Sequence, residues 1–396
     1  MHPLYRYVGP PSVAEAVRSH PRGTPVRSGA DLRAAHARFA SDTEVTCTFV
    51  VDHEGVLRVA DRASEHVACA GGAPVFAAGE LTFDSEEITE ATNQSTGYCP
   101  PPACWEALAR ALQHAHIAGP PTWTARFEFR RCTACGARSI VKDEVFECPE
   151  CGNELPRAWN FERTRVRRGF FHEWIVDVAE EASRTTRTSE RSQARSVIGD
   201  SLPVRGGLGI DLPEETPVAG DDRVHVAMGD ALQVALADGA GGSSGGAEAA
   251  TRAVETVGDA AALRALDHSI ASSFGGRCTA IWLTLSRSGI VHGLSVGDSE
   301  AWCQRGDDWR ELTENQQRKP LVGSGKARPV EFAAAADLVL VASDGLTRYA
   351  KDIRGILSRP NAAWNLVGAA RLPSGGLQDD IAIVLVRRRA SGRGER

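Results

Sequence analysis

Two sets of residues in this chain have the types and spacing to do chemistry. The first is thiolate. Cys132-Thr-Ala-Cys135-Gly and Cys148-Pro-Glu-Cys151-Gly are two CxxC knuckles with twelve residues between them. Each knuckle lets two sulfurs converge on one ion, and the glycine that follows permits the tight turn. Four thiolates complete a tetrahedral zinc shell, so Cys132, Cys135, Cys148 and Cys151 are expected to hold one structural Zn2+ with no open position for catalysis. In a module of about 30 residues the ion takes the place of a hydrophobic core. The second set is acidic. Asp238-Gly239 ends the apolar run at Leu236-Ala237, Asp298 follows Leu294-Ser-Val-Gly297, Asp344 follows Leu338–Ala342 and Ser343, and Asp379-Asp380 directly precedes Ile381–Val386. An apolar strand that ends in Asp-Gly sets a hard carboxylate oxygen beside small residues that admit backbone and water. One Asp-Gly is a common turn. Four acidic turns, each against an apolar run, suit a site for hard divalent cations such as Mn2+ or Mg2+, which keep several waters.

The elements that must position these residues follow from periodicity. A chain of 396 residues is long enough for two or three domains. Residues 1–125 read as a mixed α/β domain: Val45–Val51 and Val56–Val59 flank a turn as a hairpin does, Pro74–Leu81 suits another strand, and Cys104–His116 has helical spacing and stops before Gly119-Pro-Pro. Residues 126–161 form the cysteine module, with a strand expected over 125–130. Residues 162–200 decay into RTTRTSERSQARS, a basic Ser/Thr/Arg-rich linker, and residues 201–390 alternate short apolar strands with glycine-rich turns and helices. Cys99 and Cys104 read as ordinary thiols. Glu80, Asn93 and His66 are polar residues in distinctive contexts, with Asn93 better explained by loop hydrogen bonding than by a site.

Net charge is −6, so no global basic field argues for nucleic acid, and the arginines from Arg387 to Arg396 read as a solvated tail. No run of apolar residues is long enough for a membrane helix, and the first residues carry no signal-peptide core. A cytoplasmic protein is expected, and the Ala-, Arg- and Gly-rich composition with two Met suggests a GC-rich bacterial genome.

The ordered segments DGAGG (238–242), CTA (278–280), VGDSEAW (296–302), ELT (311–313), SDGL (343–346) and DDIAIVLV (379–386) resemble the motif series of the protein phosphatase 2C (PPM) family over about 190 residues. The cysteine module resembles a zinc ribbon. The phosphatase resemblance implies an α/β/β/α sandwich of two antiparallel sheets flanked by helices, within an α+β multidomain chain. It also implies hydrolysis of phosphoserine or phosphothreonine in a protein substrate by water activated between two divalent ions, with a partner kinase or its targets as the physiological context. Carried over motif by motif, Asp238 would bridge both ions, the Gly239 carbonyl would ligate the second, and Asp344 and Asp379 would ligate the first. Asp221-Asp222 occupies the place of the family's acidic pair, with Asp221 where Glu is usual, and Asp298 matches a weaker third-ion position. Asp380 is expected to tolerate Asn. The stretch Glu214–Ala219 lacks the Arg that commonly clamps the substrate phosphate, which leaves a non-hydrolytic, phosphatase-like signalling adaptor as the alternative.

Overall fold

β-branched and apolar runs build the first sheet around a hairpin. The computed structural model describes residues 1–40, 42–183, 220–240, 245–273 and 275–389, and the chain divides into two units, Met1–Phe170 and Phe171–Arg396. In the first unit, β1 (His2–Pro3) is followed by α1 (Pro11–Ala16), β2 (Thr24–Val26), α2 (Gly29–Phe39), β3 (Val45–Asp52), β4 (Leu57–Asp61), α3 (His66–Cys69), β5 (Val75–Phe83), β6 (Ile88–Thr92) and α4 (Trp105–Ala115). The hairpin β3–β4 turns where Asp52 Oδ1 accepts from Glu54 N and Val56 N at 2.9 and 3.0 Å, and Gly55 takes φ +83°. The sheet runs β2-β4-β3-β5-β6, antiparallel throughout. Ser28 Oγ caps α2 by accepting from Asp31 N. α4 buries Leu108, Ala111 and Leu112 towards β3 and β5, then stops at left-handed His116. The cysteine module carries the hairpin β7 (Glu128–Arg131) and β8 (Arg138–Val141), and β9 (Arg165–Phe171) pairs with β1.

The second unit holds β10 (Trp174–Glu181), β11 (Arg223–Met228), β12 (Leu232–Ala237), α5 (Gly246–Glu255), α6 (Ala260–Ser273), β13 (Ala280–Leu285), β14 (Ile290–Val296), β15 (Glu300–Arg305), β16 (Asp308–Glu311), β17 (Val330–Ala335), β18 (Leu338–Ala342), α7 (Asp344–Thr347), α8 (Ile353–Leu357), α9 (Ala362–Ala369) and β19 (Ile381–Arg388). One antiparallel sheet runs β11-β12-β13-β14-β17; in the other, β10-β19-β18-β15-β16 are successive neighbours. α5 packs on β11, β12 and β13, α9 packs on β10 and β19, and β11 and β12 touch β19. This is the expected α/β/β/α sandwich. Strand alternation divides its layers. Ala235, Ala237, Ala280 and Trp282 join the α5–α6 cluster, which leaves Val234, Leu236, Ile281 and Leu283, also buried, to fill the space between the sheets. Every residue from Ile381 to Val386 is buried, because both faces of β19 are covered.

Two expectations need correction. The linker was expected to begin at residue 162, yet Arg165–Phe171 and Trp174–Glu181 are strands, and β10 pairs with β19 along its length. Residues 184–200 of that linker lie outside the described residues. Acidic residues disguised β10: Asp177 and Glu181 are buried on it and pair with Arg387 and Arg371. The supposed solvated tail likewise begins inside the sheet, since Arg387 and Arg388 end β19 and Arg388 covers the ring of Trp174. Among the described residues, no helix is long and apolar enough to cross a membrane.

A buried carboxylate holds the loop before β17. Asp267 on α6 is 1% exposed and accepts from Gly323 N, Gly325 N and Ala327 N at 2.7, 2.9 and 2.8 Å. Asp267→Ala would strand three backbone donors, at a cost of about 3 kcal/mol. The melting transition of the second unit should then fall by roughly 6–12 °C at about 2–4 °C per kcal/mol. An unchanged transition in differential scanning calorimetry would mean that other contacts hold the loop.

Candidate active site

The strand ends of the sandwich converge on one cleft of about 1020 Å3. Asp221, Asp222, Asp238, Asp298, Asp344, Asp379 and Asp380 line it, together with the backbone of Gly239 and Ala240 and the cations Arg318 and Lys319. Asp238 is held at the end of β12 by Thr279, whose Oγ1 accepts from Asp238 N at 3.0 Å and whose N donates to Asp238 O at 2.8 Å. The same Oγ1 lies 2.6 Å from Ser299 Oγ, which ties in the Gly297-Asp298 turn after β14. Ser343 does the equivalent work on the other sheet. Its N donates to Ala382 O and its Oγ accepts from Ala382 N, both at 3.0 Å, so the start of α7 is locked to the start of β19. A Cβ on Gly345 would lie 1.9 Å from Asp380 O, so only glycine can follow Asp344 here.

The cleft brings together the acidic residues singled out in the sequence, and Asp380 holds its neighbours more firmly than expected. Asp380 Oδ2 accepts from Asp221 N at 2.7 Å, and its Oδ1 accepts from Ser183 N and Oγ at 2.7 and 2.9 Å. Its carboxylate therefore positions the acidic pair, and Asn, with one acceptor oxygen, cannot serve both sides. Thr279 was visible in the sequence only within CTA (278–280), and Ser299 and Ser343 only beside Asp298 and Asp344.

The carboxylates repel one another strongly. Burial pushes the Asp238 carboxyl up to about 10, with Asp222, Asp344, Asp379 and Asp298 adding to the shift. Burial likewise pushes Asp222 up to about 7, with Asp380 and Asp379 adding to it against an opposing pull from the side chains of Ser343 and Asp238. Asp344 is raised by burial, against the pull of Arg348. Among the described residues, Asp222 Oδ2 is buried without a hydrogen-bond partner. An orphaned buried oxygen among several hard carboxylates fits a divalent cation, which would partner the oxygen and cancel the repulsion.

In the first unit, the four sulfurs of Cys132, Cys135, Cys148 and Cys151 lie within 4.8 Å of one another. Cys132–Cys151 and Cys135–Cys148 are separated by 3.6 and 3.7 Å, close to the ~3.8 Å that tetrahedral zinc with ~2.3 Å bonds requires. The knuckles match: Gly136 N donates to Cys132 O and Gly152 N to Cys148 O, at 2.9 and 2.8 Å, with φ +79° and +71°. Asn153, which donates to Cys151 Sγ, draws that thiol down to about 6. The other candidates of this unit are tied up in its framework. Asn93 donates to Pro100 O and Phe127 O and accepts from Phe127 N, His66 Nε2 donates to Gly79 O, and Glu80 faces Arg62 at 3.5 Å. Cys99 and Cys104 are buried, and burial raises both thiols.

No model of a known protein family matches the chain, and no curated protein does. Similar solved structures include a bacterial serine phosphatase (18% identity, 43% of this chain, 92% of that chain, TM-score 0.38). The Mycobacterium tuberculosis serine/threonine phosphatase PstP is another (20%, 44% and 95%, TM-score 0.38), solved also as a catalytic domain in complex with two manganese ions. A third is PppA, a regulatory component of the Pseudomonas aeruginosa T6SS (20%, 42% and 96%, TM-score 0.35).

The raised carboxyls fix the sign of a pH effect. Asp222 and Asp238 bind protons more tightly folded than unfolded, so stability falls as pH rises above the ~4 of an unfolded carboxylate towards about 7 and about 10. Metal-free second unit should therefore melt at a lower temperature at pH 8 than at pH 5.5, and Mn2+ should restore more stability at pH 8. Melting that is independent of pH across this window would contradict the repulsion.

Proposed function

We propose that the second unit is a metal-dependent serine/threonine phosphoprotein phosphatase, and that the four cysteines of the first unit hold one structural Zn2+. The observation that carries the phosphatase reading is the convergence of Asp222, Asp238, Asp344 and Asp379, with one Asp222 oxygen unpartnered among the described residues, on a cleft that also presents Arg318 and Lys319. When bound, two Mn2+ or Mg2+ ions would lower the pKa of a shared water and neutralise charge on the phosphoryl group. Asp238, which feels the charge of the other carboxylates most, would bridge the two ions. Asp344 and Asp379, set side by side by the Ser343–Ala382 bonds, would serve one ion, and the acidic pair and the Gly239 carbonyl the other. Asp380 fixes the backbone of Asp221 so that the pair keeps its place. Arg318 and Lys319, exposed at the rim, are suited to draw in the phosphate of a phosphoserine or phosphothreonine protein. They supply the charge that the stretch 214–219 lacks, a stretch outside the described residues.

Purified protein should hydrolyse phosphothreonine peptides with Mn2+ or Mg2+ and stop when these ions are chelated. Asp238→Asn should cost more than the roughly 10–100-fold lost with an outer partner, and Asp380→Asn should fall within that range. Protein that takes up the ions yet turns over no phosphoserine or phosphothreonine substrate would instead be the non-hydrolytic adaptor.

For the cysteine site, elemental analysis should find one zinc per chain, and replacing any of the four cysteines by Ser should release it and loosen the module. Reduced protein without zinc would defeat that assignment.

A further inference from the structure

Arg348 sits one turn beyond Asp344, at the end of α7. Its Nη2 lies 2.8 Å from Asp344 Oδ2 and 3.5 Å from Asp298 Oδ2. The guanidinium thus joins a residue read as a ligand of the paired ions to the residue read as the seat of a weaker third ion. The guanidinium lies against one oxygen of each carboxylate, more closely at Asp344, so a metal ion seated at Asp298 would have to displace it. A divalent ion entering beside it would also meet like charge. Around it, Glu300 accepts from Trp302 Nε1 and Glu311 from Thr313 Oγ1, both at 2.9 Å and each through one oxygen, and Glu314 lines the same pocket. A guanidinium cannot lose its charge in the physiological range, so this cation is permanent.

We propose that Arg348 is a built-in cation in the place of the third metal ion, so that the centre accepts two divalent ions and Asp298 anchors the guanidinium. The inference rests on the two-ion reading of the cleft. It converts Asp298 from a weak metal ligand into a positioning residue: Asp298 holds Arg348, and Arg348 braces Asp344 from the solvent side.

Equilibrium dialysis of the full-length, zinc-loaded protein against increasing Mn2+ counts the ions directly. The wild type and Arg348→Lys should saturate at two Mn2+. Arg348→Met, which keeps the length of the stem and removes the charge, should gain a third, weaker class of site, and adding Asp298→Asn should abolish that class. The side chain of Arg348 is 42% exposed, so the variants should melt close to the wild type, and circular dichroism checks that they do. Three Mn2+ in the wild type, or the same non-zero number in the wild type and Arg348→Met, would overturn this inference alone. No Mn2+ bound by the wild type would overturn the two-ion reading and this inference with it.

Discussion

Carboxylates forced together in a partly dry cleft repel one another, and much of the second unit's local structure exists to hold them there. Asp238 feels Asp222, Asp344, Asp379 and Asp298 at once, and burial denies all of them the full screening of water. A chain left to its own electrostatics would spread these groups apart. The sandwich prevents it by placing each at the end or start of a strand whose interior is apolar and covered on both faces. The hydrophobic burial of β12, β18 and β19 is thus spent on an unfavourable charge arrangement, which a divalent cation would turn into a favourable one.

The clamps are short and local. Thr279 grips the backbone of Asp238 through both its N–H and its hydroxyl, and passes the constraint to Ser299. Ser343 grips Ala382 in the same two-bond fashion. Asp380 holds Asp221 and Ser183, and Asp267 holds the loop that follows Arg318 and Lys319. Small hydroxyls and glycines recur at these points because the backbones approach too closely for anything larger, as at Gly345 against Asp380 O. Arg348 is of another kind, a single positive charge set among the carboxylates from the solvent side.

Much of this was legible in the sequence because the apolar strands and their terminal acidic turns are contiguous. LAD-G before residue 239 and VASD-G before 345 each spell out a strand and its functional end in a few letters. The cysteine cluster was legible for the same reason, since each knuckle is local. What was hidden depended on partners far away in the chain. Trp174–Glu181 read as part of a linker because Asp177 and Glu181 break the apolar pattern, and Arg387 and Arg371, some two hundred residues on, help make them tolerable in a sheet. Nothing in the local sequence marks Asp267, because the three backbone donors it serves lie more than fifty residues on. Asp380 was expected to tolerate Asn on the family resemblance, and its distant partners, Ser183 and Asp221, leave no trace in the local sequence to correct that.

In the proposed site Asp238 stands between two divalent ions, and the magnetism of Mn2+ reports such an arrangement directly. Electron paramagnetic resonance of zinc-loaded protein with two equivalents of Mn2+ should show the broadened, exchange-coupled spectrum of a carboxylate-bridged pair. Asp238→Asn should abolish the coupled signal. Six-line spectra of isolated Mn2+ in the wild type at full occupancy would contradict the claim, because they would place the ions apart and leave the cleft without its bridging carboxylate.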